Sequence, residues 1–564
     1  MDRFWLAQYP PGVAAEIDLS AYASLKALID DACTRYADRV AYRCMGTALS
    51  YRELDARSRA FGAWLQQRAG LKAGDRVAIM LPNLLQYPIA MFGALRAGFV
   101  VVNTNPLYTA SELAQQLKDS GAAAVLVLEN FAATLAQALP ATDVRHVIVT
   151  GVGDLLRWPK GAIVNALLRH VQKKVPRWHI AGAHRLRALL EQGRSLELRP
   201  ARLDYEDLAF LQYTGGTTGI AKGAMLTHGN MVANVLQSRA WFEQVELDRV
   251  TYVCALPLYH IFSLTANCLL FASVGGTGLL IVNPRDFAAF VNELKTHKPM
   301  FFMGVNTLFN ALMNTPGFGE IDFSRLVATV AGGMALQSSV AERWQAMTGC
   351  VVTQGWGLTE ASPVGCVNPL IGASARFTGS IGLPVPSTDL SIRDDEGREL
   401  GIGSVGEICL RGPQVMRGYW NRPAETAHVM LPNRWLRTGD IGRFDELGFV
   451  YIEDRKKDMI IVSGFKVYPN EIEDVVARCP GVLEVAAVAQ TDEHSGEVVA
   501  LFVVRKDSSL TEQAVKDWCH QYLTGYKRPH AVYFRDELPK TNVGKILRRA
   551  LRDELAQQPH KTRA

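Results

Sequence analysis

The sequence lacks the cysteine patterns of disulfide frameworks and zinc sites. Its nine cysteines are scattered along 564 residues, and no two of them form a C-x-x-C pair. Such a set is typical of reduced thiols rather than of a secreted, disulfide-bonded scaffold. The first residues, Met1 to Trp5, also lack the basic region and apolar core of a secretory signal. The sequence therefore predicts a cytoplasmic protein.

A large excess of one charge is also missing, and so is a steadily apolar span. The 60 basic and 55 acidic residues give a formal net charge of +5, which argues against a nucleic-acid partner. The stretch 261–284 has no charge but contains Ser263, Asn267, Gly275 and Gly276. A membrane span needs roughly 20 steadily apolar residues. We therefore expect a buried helix followed by a buried strand there.

Acidic residues are missing between Leu155 and Leu190. This stretch holds eight basic residues: Arg157, Lys160, Arg169, Lys173, Lys174, Arg177, Arg185 and Arg187. Apolar residues such as Trp158, Ile163, Leu167 and Val171 lie among them. A solvated helix packed on the domain by one face explains this composition, and so does a surface that touches anionic lipid. The second interpretation places the protein peripherally at the inner face of the cell membrane.

The order of helix-like and strand-like segments predicts an α/β fold with two domains. In the first third, the strands Arg76–Leu81, Phe99–Val102 and Ala123–Leu128 alternate with capped amphipathic helices, which is typical of a parallel sheet covered by helices. Short strands and turns after Ser380 indicate a β-rich module. A dense charge run at 454–458 breaks the pattern. We expect a large N-terminal domain, 1–454, of layered α/β subdomains plus the β-rich module, and a small mobile α+β domain, 455–564.

The most informative motif follows the apolar run Leu208–Tyr213. It is a loop of glycines and hydroxylated residues with one lysine near its end. Its residues are Thr214, Gly215, Gly216, Thr217, Thr218, Gly219, Ile220, Ala221, Lys222 and Gly223. Glycines let backbone N–H groups converge on an anion, and Lys222 adds a positive charge. The loop is not a Walker A motif, because Ala221 and Gly223 flank the lysine. The composition fits a polyphosphate site, although such loops are also often only turns.

The full string resembles the phosphate loop of the adenylate-forming enzymes, the family of acyl-CoA synthetases, luciferases and peptide-synthetase adenylation domains. Five further motifs follow in the order and spacing of that family, so the resemblance covers nearly the whole chain. It implies the α/β architecture above and the binding of ATP. The residues that it implies for ATP are Tyr213, Thr214, Gly215, Gly216, Thr217, Thr218, Gly219, Lys222, Gly333, Met334, Gly355, Trp356, Gly357, Asp440 and Arg455.

The resemblance also implies individual roles around the nucleotide. In Gln354–Glu360, Glu360 is the implied ligand of Mg²⁺, an ion that takes oxygen ligands. Thr359 is expected to touch the α-phosphate, and Trp356 to stack on adenine. Asp440 is expected to accept the ribose hydroxyls, with Arg455 donating to the same ribose.

Four more roles follow from the same resemblance. Lys545, at the end of a P-K-T-x-x-G-K string, looks like the catalytic lysine of the family, and His260 like the histidine beside the substrate carboxylate. Lys457 is the implied hinge of the small domain. A loop that includes Gly464, Phe465 and Lys466 is expected to enter the site when coenzyme A reacts.

The implied substrate is a long-chain fatty acid. Family members that activate acetate have a tryptophan where this chain has Gly357, so the missing side chain leaves room for a tail. The segment 433–457 is similar to that of fatty acyl-CoA synthetases but departs at Arg434 and Arg437. We expect ATP-dependent formation of a fatty acyl-adenylate and then of acyl-CoA, feeding fatty acid uptake and β-oxidation. A medium-chain or aryl acid ligase, a ligase that delivers to a carrier protein, and a homodimeric state stay open.

A non-enzymatic reading, a fatty-acid-binding scaffold with a decayed site, is the alternative of a different class. The intact Lys222, Glu360, Asp440 and Lys545 argue against it.

Overall fold

The computed structural model describes residues 3–214, 221–242, 245, 249–372, 375–492 and 494–557. Part of the glycine-rich loop lies outside the described residues. The predicted site residues concerned are Gly215, Gly216, Thr217, Thr218 and Gly219.

The first α/β unit is a sheet covered by helices. Its strands and those preceding it are β1 (Val40–Cys44), β2 (Thr47–Ser50), β3 (Arg76–Met80), β4 (Val100–Asn103), β5 (Ala122–Leu128), β6 (His146–Thr150), β7 (His184–Arg185), β8 (Leu208–Thr214) and β9 (Lys222–Thr227). The helices are α1 (Leu25–Arg35), α2 (Tyr51–Gln67), α3 (Gln86–Arg96), α4 (Ala110–Ser120), α5 (Ala132–Ala138), α6 (Lys160–Ala166) and α7 (Leu186–Gly193).

Seven of these strands form one sheet in the order β7-β6-β5-β3-β4-β8-β9. All neighbours are parallel except β8 and β9, which are antiparallel. The glycine-rich loop therefore joins two adjacent antiparallel strands. The three strands predicted from the sequence correspond to β3, β4 and β5. The side chains of Ser50 and Thr109 cap α2 and α4 through complete capping boxes. The predicted parallel sheet is thus confirmed.

A second sheet follows along the chain. Its strands are β10 (Thr251–Cys254), β11 (Thr277–Leu280), β12 (Phe301–Gly304), β13 (Ala328–Ala331), β14 (Val352–Gly357), β15 (Val364–Val367) and β16 (Leu383–Pro384), and β1 and β2 complete it. The helices are α8 (His228–Phe242), α9 (Ile261–Ser263), α10 (Leu270–Ser273), α11 (Phe287–His297), α12 (Asn306–Met313) and α13 (Ser338–Thr348).

Its order, β16-β15-β14-β13-β12-β10-β11-β1-β2, places parallel β10, β12, β13 and β14 side by side. Loops after β10, β13 and β14 therefore open at one edge, where α/β sheets bind ligands. The sequence predicts a buried strand over 351–353 that ends before the motif Gln354–Glu360. β14 instead runs through the motif to Gly357, so this predicted end is wrong. The uncharged stretch 261–284 is a buried helix with a π-helical turn, Leu264–Leu269, followed by β11, as predicted. Across the described parts of the chain, no helix is long and apolar enough to cross a membrane.

The β-rich module is a five-stranded antiparallel sheet. It contains β17 (Asp389–Arg393), β18 (Gly406–Arg411), β19 (Met430–Leu431), β20 (Trp435–Phe444) and β21 (Val450–Arg455), with α14 (Pro423–Val429) beside it. Pairing of β20 with β21 sets Asp440 opposite Arg455. Two residues that are 15 positions apart in sequence thereby become neighbours.

The small C-terminal domain has its own sheet and buried core. It consists of β22 (Ile460–Val462), β23 (Phe465–Val467), α15 (Pro469–Ala477), β24 (Val482–Asp492), β25 (Gly496–Arg505), α16 (Glu512–Tyr522), β26 (Pro529–Arg535) and α17 (Arg548–Gln557). The sequence predicts a helix over 471–478 with Asn470 as its cap. This cap is wrong, because the helix already begins at Pro469. Large and small domains together confirm the predicted fold class.

Candidate active site

A cavity of about 830 Å³ lies where the two α/β sheets, the β-rich module and the small domain meet. Predicted site residues from all four regions line it: Tyr213, Thr214, Lys222, His260, Gly333, Gly355, Trp356, Gly357, Thr359, Glu360, Arg455, Lys457 and Lys545. Met334 packs instead against a buried apolar cluster. The fold therefore gathers residues that are more than 330 positions apart in sequence, Tyr213 and Lys545, around one space.

The loop predicted for the coenzyme A step stands apart from the residues that line this cavity. Gly464 lies in the turn between β22 and β23, and Phe465 and Lys466 begin β23. The Phe465 side chain is exposed and stacks on Tyr526, with ring centroids 4.8 Å apart. Lys545 and this loop belong to the same small domain. The structure thus presents the arrangement in which the lysine, rather than the loop, occupies the site.

One corner of the cavity holds Glu360. The Tyr419 hydroxyl donates a 2.6 Å hydrogen bond to Glu360 Oε1, and Lys222 Nζ lies 5.4 Å from the centre of the Tyr419 ring. Burial and the negative charge of Glu360 raise the pKa of Tyr419 well above its ordinary value, so the hydroxyl keeps its proton and remains a donor. Tyr419 therefore fixes the direction of the Glu360 carboxylate and packs beneath the lysine.

Sequence reasoning missed Tyr419. The residue belongs to a loop after β18 that runs along β9, where Trp420 N donates to the Gly223 carbonyl and Met225 N donates to the Gly418 carbonyl. This crossing is a tertiary contact, and the only local signal is an aromatic residue next to a glycine. Such a pattern is too common to indicate a site.

Glu360 fits the magnesium ion that the family resemblance implies. Mg²⁺ is usually held by one or two carboxylates together with substrate phosphates and water. Among the residues that the structure describes, no group of three or more His, Cys, Asp or Glu side chains forms a metal cluster. A single oriented carboxylate beside a lysine suits an ion that arrives with a polyphosphate.

Asp440, which is 4% exposed, does not line the cavity itself but contacts two residues that do. The Trp356 indole N–H donates to Asp440 Oδ2 at 2.8 Å, and Arg455 Nε lies 3.2 Å from Oδ1. One carboxylate oxygen therefore accepts a hydrogen bond and the other forms an ion pair, and both partners hold the group in place. The expected contacts of Asp440 with ribose and of Trp356 with adenine stay predictions, and the structure adds that Trp356 orients Asp440.

A second corner contains Lys545. Its side chain passes over Gly333, where an added Cβ would lie 3.0 Å from Lys545 Cε, and Gly333 has a positive φ of 80°. Desolvation, reinforced by the nearby charge of Arg455 and partly offset by Asp440, lowers the pKa of Lys545 to about 8. The ammonium is therefore mostly protonated at neutral pH while it is poorly solvated. Such a charge interacts strongly with an incoming anion.

His260 faces the same space. Its Nδ1 accepts the backbone N–H of Phe262 at 3.3 Å and caps the helix that begins at Ile261. Desolvation, with the positive charge of Lys545, lowers the pKa of His260 to about 3. The imidazole is neutral at neutral pH, and with Nδ1 accepting, its hydrogen resides on Nε2. His260 can thus donate a hydrogen bond but carries no charge.

The remaining lining is apolar. It comes mostly from α8, the helix after His260 and the second sheet, and includes Trp241, Phe242, Ile261, Ala266, Leu270, Met303, Val330 and Val364. A cavity lined by both polar groups and apolar side chains suits a ligand that has a polar head and an apolar body.

Gly357 has a packing role besides the opening predicted from the sequence. An added Cβ at this position would lie 2.0 Å from the Pro363 carbonyl oxygen, far inside contact distance. The strand and the returning chain can approach this closely only with glycine.

The cavity brings Lys545 of the small domain together with Lys222 and Glu360 of the large domain. Comparisons with known proteins identify the class to which such a site belongs. Residues 29–420 match the model of the AMP-binding enzyme family, and 471–545 match the AMP-binding enzyme C-terminal domain. The chain belongs to the AMP-binding enzyme family.

Curated relatives cover almost the whole chain. It is 53% identical over 555 residues to a long-chain-fatty-acid–CoA ligase of Salmonella typhimurium, with 98% of each chain covered. It is 51% identical over 563 residues to a long-chain-fatty-acid–CoA ligase of Haemophilus influenzae, with 99% of this chain and 100% of that protein covered. The crystal structure of ATP-bound MatB from Rhodopseudomonas palustris is 27% identical with a TM-score of 0.80, and covers 95% and 99% of the two chains.

The environment of Lys545 makes its titration measurable. Competitive acylation with trace acetic anhydride, read by mass spectrometry, should show half-maximal labelling of Lys545 near pH 8. A lysine peptide in the same solution, with its ordinary pKa of about 10.4, is the control. Because Asp440 raises the lysine pKa, Asp440→Asn should shift the Lys545 midpoint to lower pH. A Lys545 midpoint that coincides with that of the peptide would contradict this description of the cavity.

Proposed function

We propose that this protein is an ATP-dependent long-chain fatty acid–CoA ligase that works through an acyl-adenylate and releases AMP and pyrophosphate. The identity to curated long-chain-fatty-acid–CoA ligases over the whole chain supports the substrate class. The observation that carries the chemistry is the position of Lys545 in one cavity with Lys222, Glu360 and apolar side chains. We further propose that the domains divide between 454 and 455.

In the first half-reaction a fatty carboxylate oxygen attacks the α-phosphorus of ATP. A new O–P bond forms while the bond to the bridging oxygen of pyrophosphate breaks. Negative charge builds up on the oxygens of the transferring group, and a preorganised ammonium in a poorly solvated cavity stabilises it. We assign this role to Lys545, with Thr359 at the α-phosphate and the neutral His260 beside the carboxylate.

The other polar residues hold the nucleotide. Lys222 supplies positive charge for the phosphates. Asp440 and Arg455 suit the ribose hydroxyls, which need an acceptor and a donor. Glu360 would hold Mg²⁺, which when bound neutralises phosphate charge.

In the second half-reaction the thiol of coenzyme A attacks the acyl carbonyl. A C–S bond forms, the mixed anhydride C–O bond breaks, AMP leaves with the electron pair, and the thiol proton passes to solvent. The loop predicted for this step, Gly464 to Lys466, stands apart from the cavity lining while Lys545 occupies it. We therefore propose that the small domain turns about Lys457 between the two steps, as hinged domains do in many enzymes.

The substrate class is tested by AMP release from a series of acids. Saturated fatty acids of increasing length, benzoate and 4-coumarate are compared with and without coenzyme A. We expect kcat/KM to rise toward long chains, because each further buried CH₂ contributes about 0.8 kcal/mol, and multiple turnovers to require coenzyme A. A kcat/KM that is highest for medium-chain or aromatic acids would contradict the long-chain substrate class. Turnover only with a phosphopantetheine-bearing carrier protein would contradict coenzyme A as the acceptor.

The role of Lys545 is tested by separating the half-reactions. Lys545→Ala should slow acyl-adenylate formation, measured by pyrophosphate exchange, on the order of 10²- to 10³-fold. This is the usual loss for one transition-state donor. Thioester formation from pre-made acyl-adenylate should be spared. Lys540→Ala is the matched control, because Lys540 lies in the same segment but its ammonium binds Glu484 at 2.7 Å. Equal losses in both half-reactions would overturn the assignment.

We also propose that the enzyme touches an anionic membrane surface through α6 and the turn after it. Trp158, Ile163, Leu167 and Val171 are 87%, 61%, 40% and 70% exposed. The last three are spaced four apart and share one helical face. Contiguous exposed apolar residues of this size are unusual on a soluble protein surface and indicate an interaction site.

The segment is fixed with this face outward. Asn165 accepts a hydrogen bond from Gly153 N at 2.7 Å and donates one to Asp154 at 2.9 Å, which anchors the opposite side of α6. Arg169 binds the buried carboxylate of Glu129 at 2.6 Å, and Arg185 lies 3.4 Å from it. These contacts hold the segment on the domain and leave other basic residues at the surface.

Charge selects the partner. Arg157, Lys160, Lys173, Lys174 and Arg177 are all exposed around the apolar face. An apolar face rimmed by basic residues is typical of helices that lie in the interface of anionic bilayers. A substrate with a long apolar chain partitions into the same place.

This surface is tested by flotation with vesicles of phosphatidylglycerol and of phosphatidylcholine. Each basic residue near an anionic surface contributes about 1 kcal/mol, so Lys174→Glu should weaken binding to phosphatidylglycerol vesicles at least about fivefold, and salt should weaken it further. Trp158→Ser should weaken it as well. Lys506→Glu, an exposed charge reversal on the small domain, is the control. If neither salt nor either substitution weakens vesicle binding, this surface is not the membrane contact.

A further inference from the structure

Helix α13 of the large domain lacks a cap of its own. Its N-cap residue, Gln337, makes no side-chain capping hydrogen bond. The acceptor comes from the small domain, because Asp474 Oδ1 on α15 accepts both the Ser338 backbone N–H at 2.9 Å and the Ser338 hydroxyl at 2.7 Å. A carboxylate at a helix N-terminus satisfies an otherwise unpaired N–H and interacts favourably with the helix dipole. One domain thus caps a helix of the other.

Arg478, four residues after Asp474, completes the contact. Its guanidinium donates to Ser338 Oγ at 3.0 Å through Nε and to Glu342 Oε1 at 3.1 Å through Nη2. The Ser338 hydroxyl therefore donates to Asp474 while it accepts from Arg478. We name these four residues, Asp474, Arg478, Ser338 and Glu342, the α13 clamp.

A neighbouring contact links this face to the catalytic loop. Thr307 Oγ1 on α12 donates to the Gly544 carbonyl at 2.8 Å, directly before Lys545. Gly544 has a φ of 81°, and an added Cβ there would lie 2.9 Å from Thr307 Oγ1. Asn310 on the same helix donates to the Leu483 carbonyl at 3.0 Å. The side of the small domain that binds α12 and α13 is therefore the side that delivers Lys545.

We propose that Asp474 and Arg478 are positioning residues, which hold the small domain in the orientation that places Lys545 in the cavity and release it for the second half-reaction. The proposal rests on the proposed function. α15 and the Lys545 loop belong to one sheet-bearing unit, so a turn about Lys457 that withdraws the lysine also separates Asp474 from α13. The clamp and the occupied site are thereby coupled.

The strength of the clamp suits a contact that opens in every catalytic cycle. Arg478 and Glu342 side chains are 47% and 64% exposed, and exposed ion pairs contribute little. Loss of a helix N-cap typically lowers the equilibrium constant for the capped state by about two- to thirtyfold. A contact of this size biases two orientations without locking either.

The orientation is measured on the full chain without substrates. All nine native cysteines are buried, so spin labels attach at cysteines placed at the exposed Ala346 of α13 and Ala514 of α16. With Asp474 intact, one distance should dominate. Asp474→Ala should raise the population of a second distance by about two- to thirtyfold, and Asp474→Asn, which keeps an acceptor without the charge, should raise it less.

The same variants are then assayed in the two half-reactions. The ratio of thioester formation from pre-made acyl-adenylate to adenylate formation should rise by about two- to thirtyfold in Asp474→Ala and in Arg478→Ala. The control is Asp507→Ala, at an exposed turn residue of the same domain whose carboxylate accepts the backbone N–H of Ser509 in its own turn, and it should change neither readout.

Failure of the clamp proposal and failure of the proposed function give different results. Unchanged distances in Asp474→Ala, or equal slowing of both half-reactions with a lowered Tm, would overturn the clamp and leave it a structural contact. If no acid is adenylated by the unaltered enzyme, the proposed function fails, while a shift of the label distances still establishes the clamp.

Discussion

The site depends on a positive charge held where water is scarce. The Lys545 ammonium belongs to the small domain, yet it lies over Gly333 of the large domain, and desolvation lowers its pKa. A charge that is already desolvated has little solvation to lose when an anion arrives, so its attraction for that anion is stronger than in water. Gly333 leaves room for this side chain, and His260 beside it is uncharged because desolvation and the lysine charge lower its pKa.

The surrounding polar groups are arranged so that each charge has a fixed direction. Tyr419 keeps its proton because burial and Glu360 raise its pKa, and it therefore donates to that carboxylate. Trp356 donates to Asp440 from the opposite side. Both donors are aromatic side chains with few rotamers, so little entropy is lost in holding them. The carboxylates are thus set in place before any nucleotide enters.

Sequence could predict what local patterns encode. The sequence correctly predicted the strands β3, β4 and β5 and the caps of α2 and α4. Thirteen of the residues named from the motif resemblance line one cavity. Sequence reasoning missed Tyr419, because the crossing of its loop over β9 is a tertiary contact, and it misplaced the start of α15, since Pro469 is itself acceptable in a first helical turn. The outward direction of Ile163 and Val171 was equally hidden, because composition alone does not say which face of a helix meets the domain.

The same limit explains why coupling between the domains is invisible in sequence. Gln337, before α13, offers the helix no capping bond, and Asp474 is one acid among the 55 of the chain. Only the fold joins them, and only in the orientation that also seats Lys545. A helix whose first N–H is satisfied by another domain becomes less stable when that domain leaves, because the N–H must then turn to water. The stability of α13 and the occupancy of the active site are therefore two measures of one equilibrium.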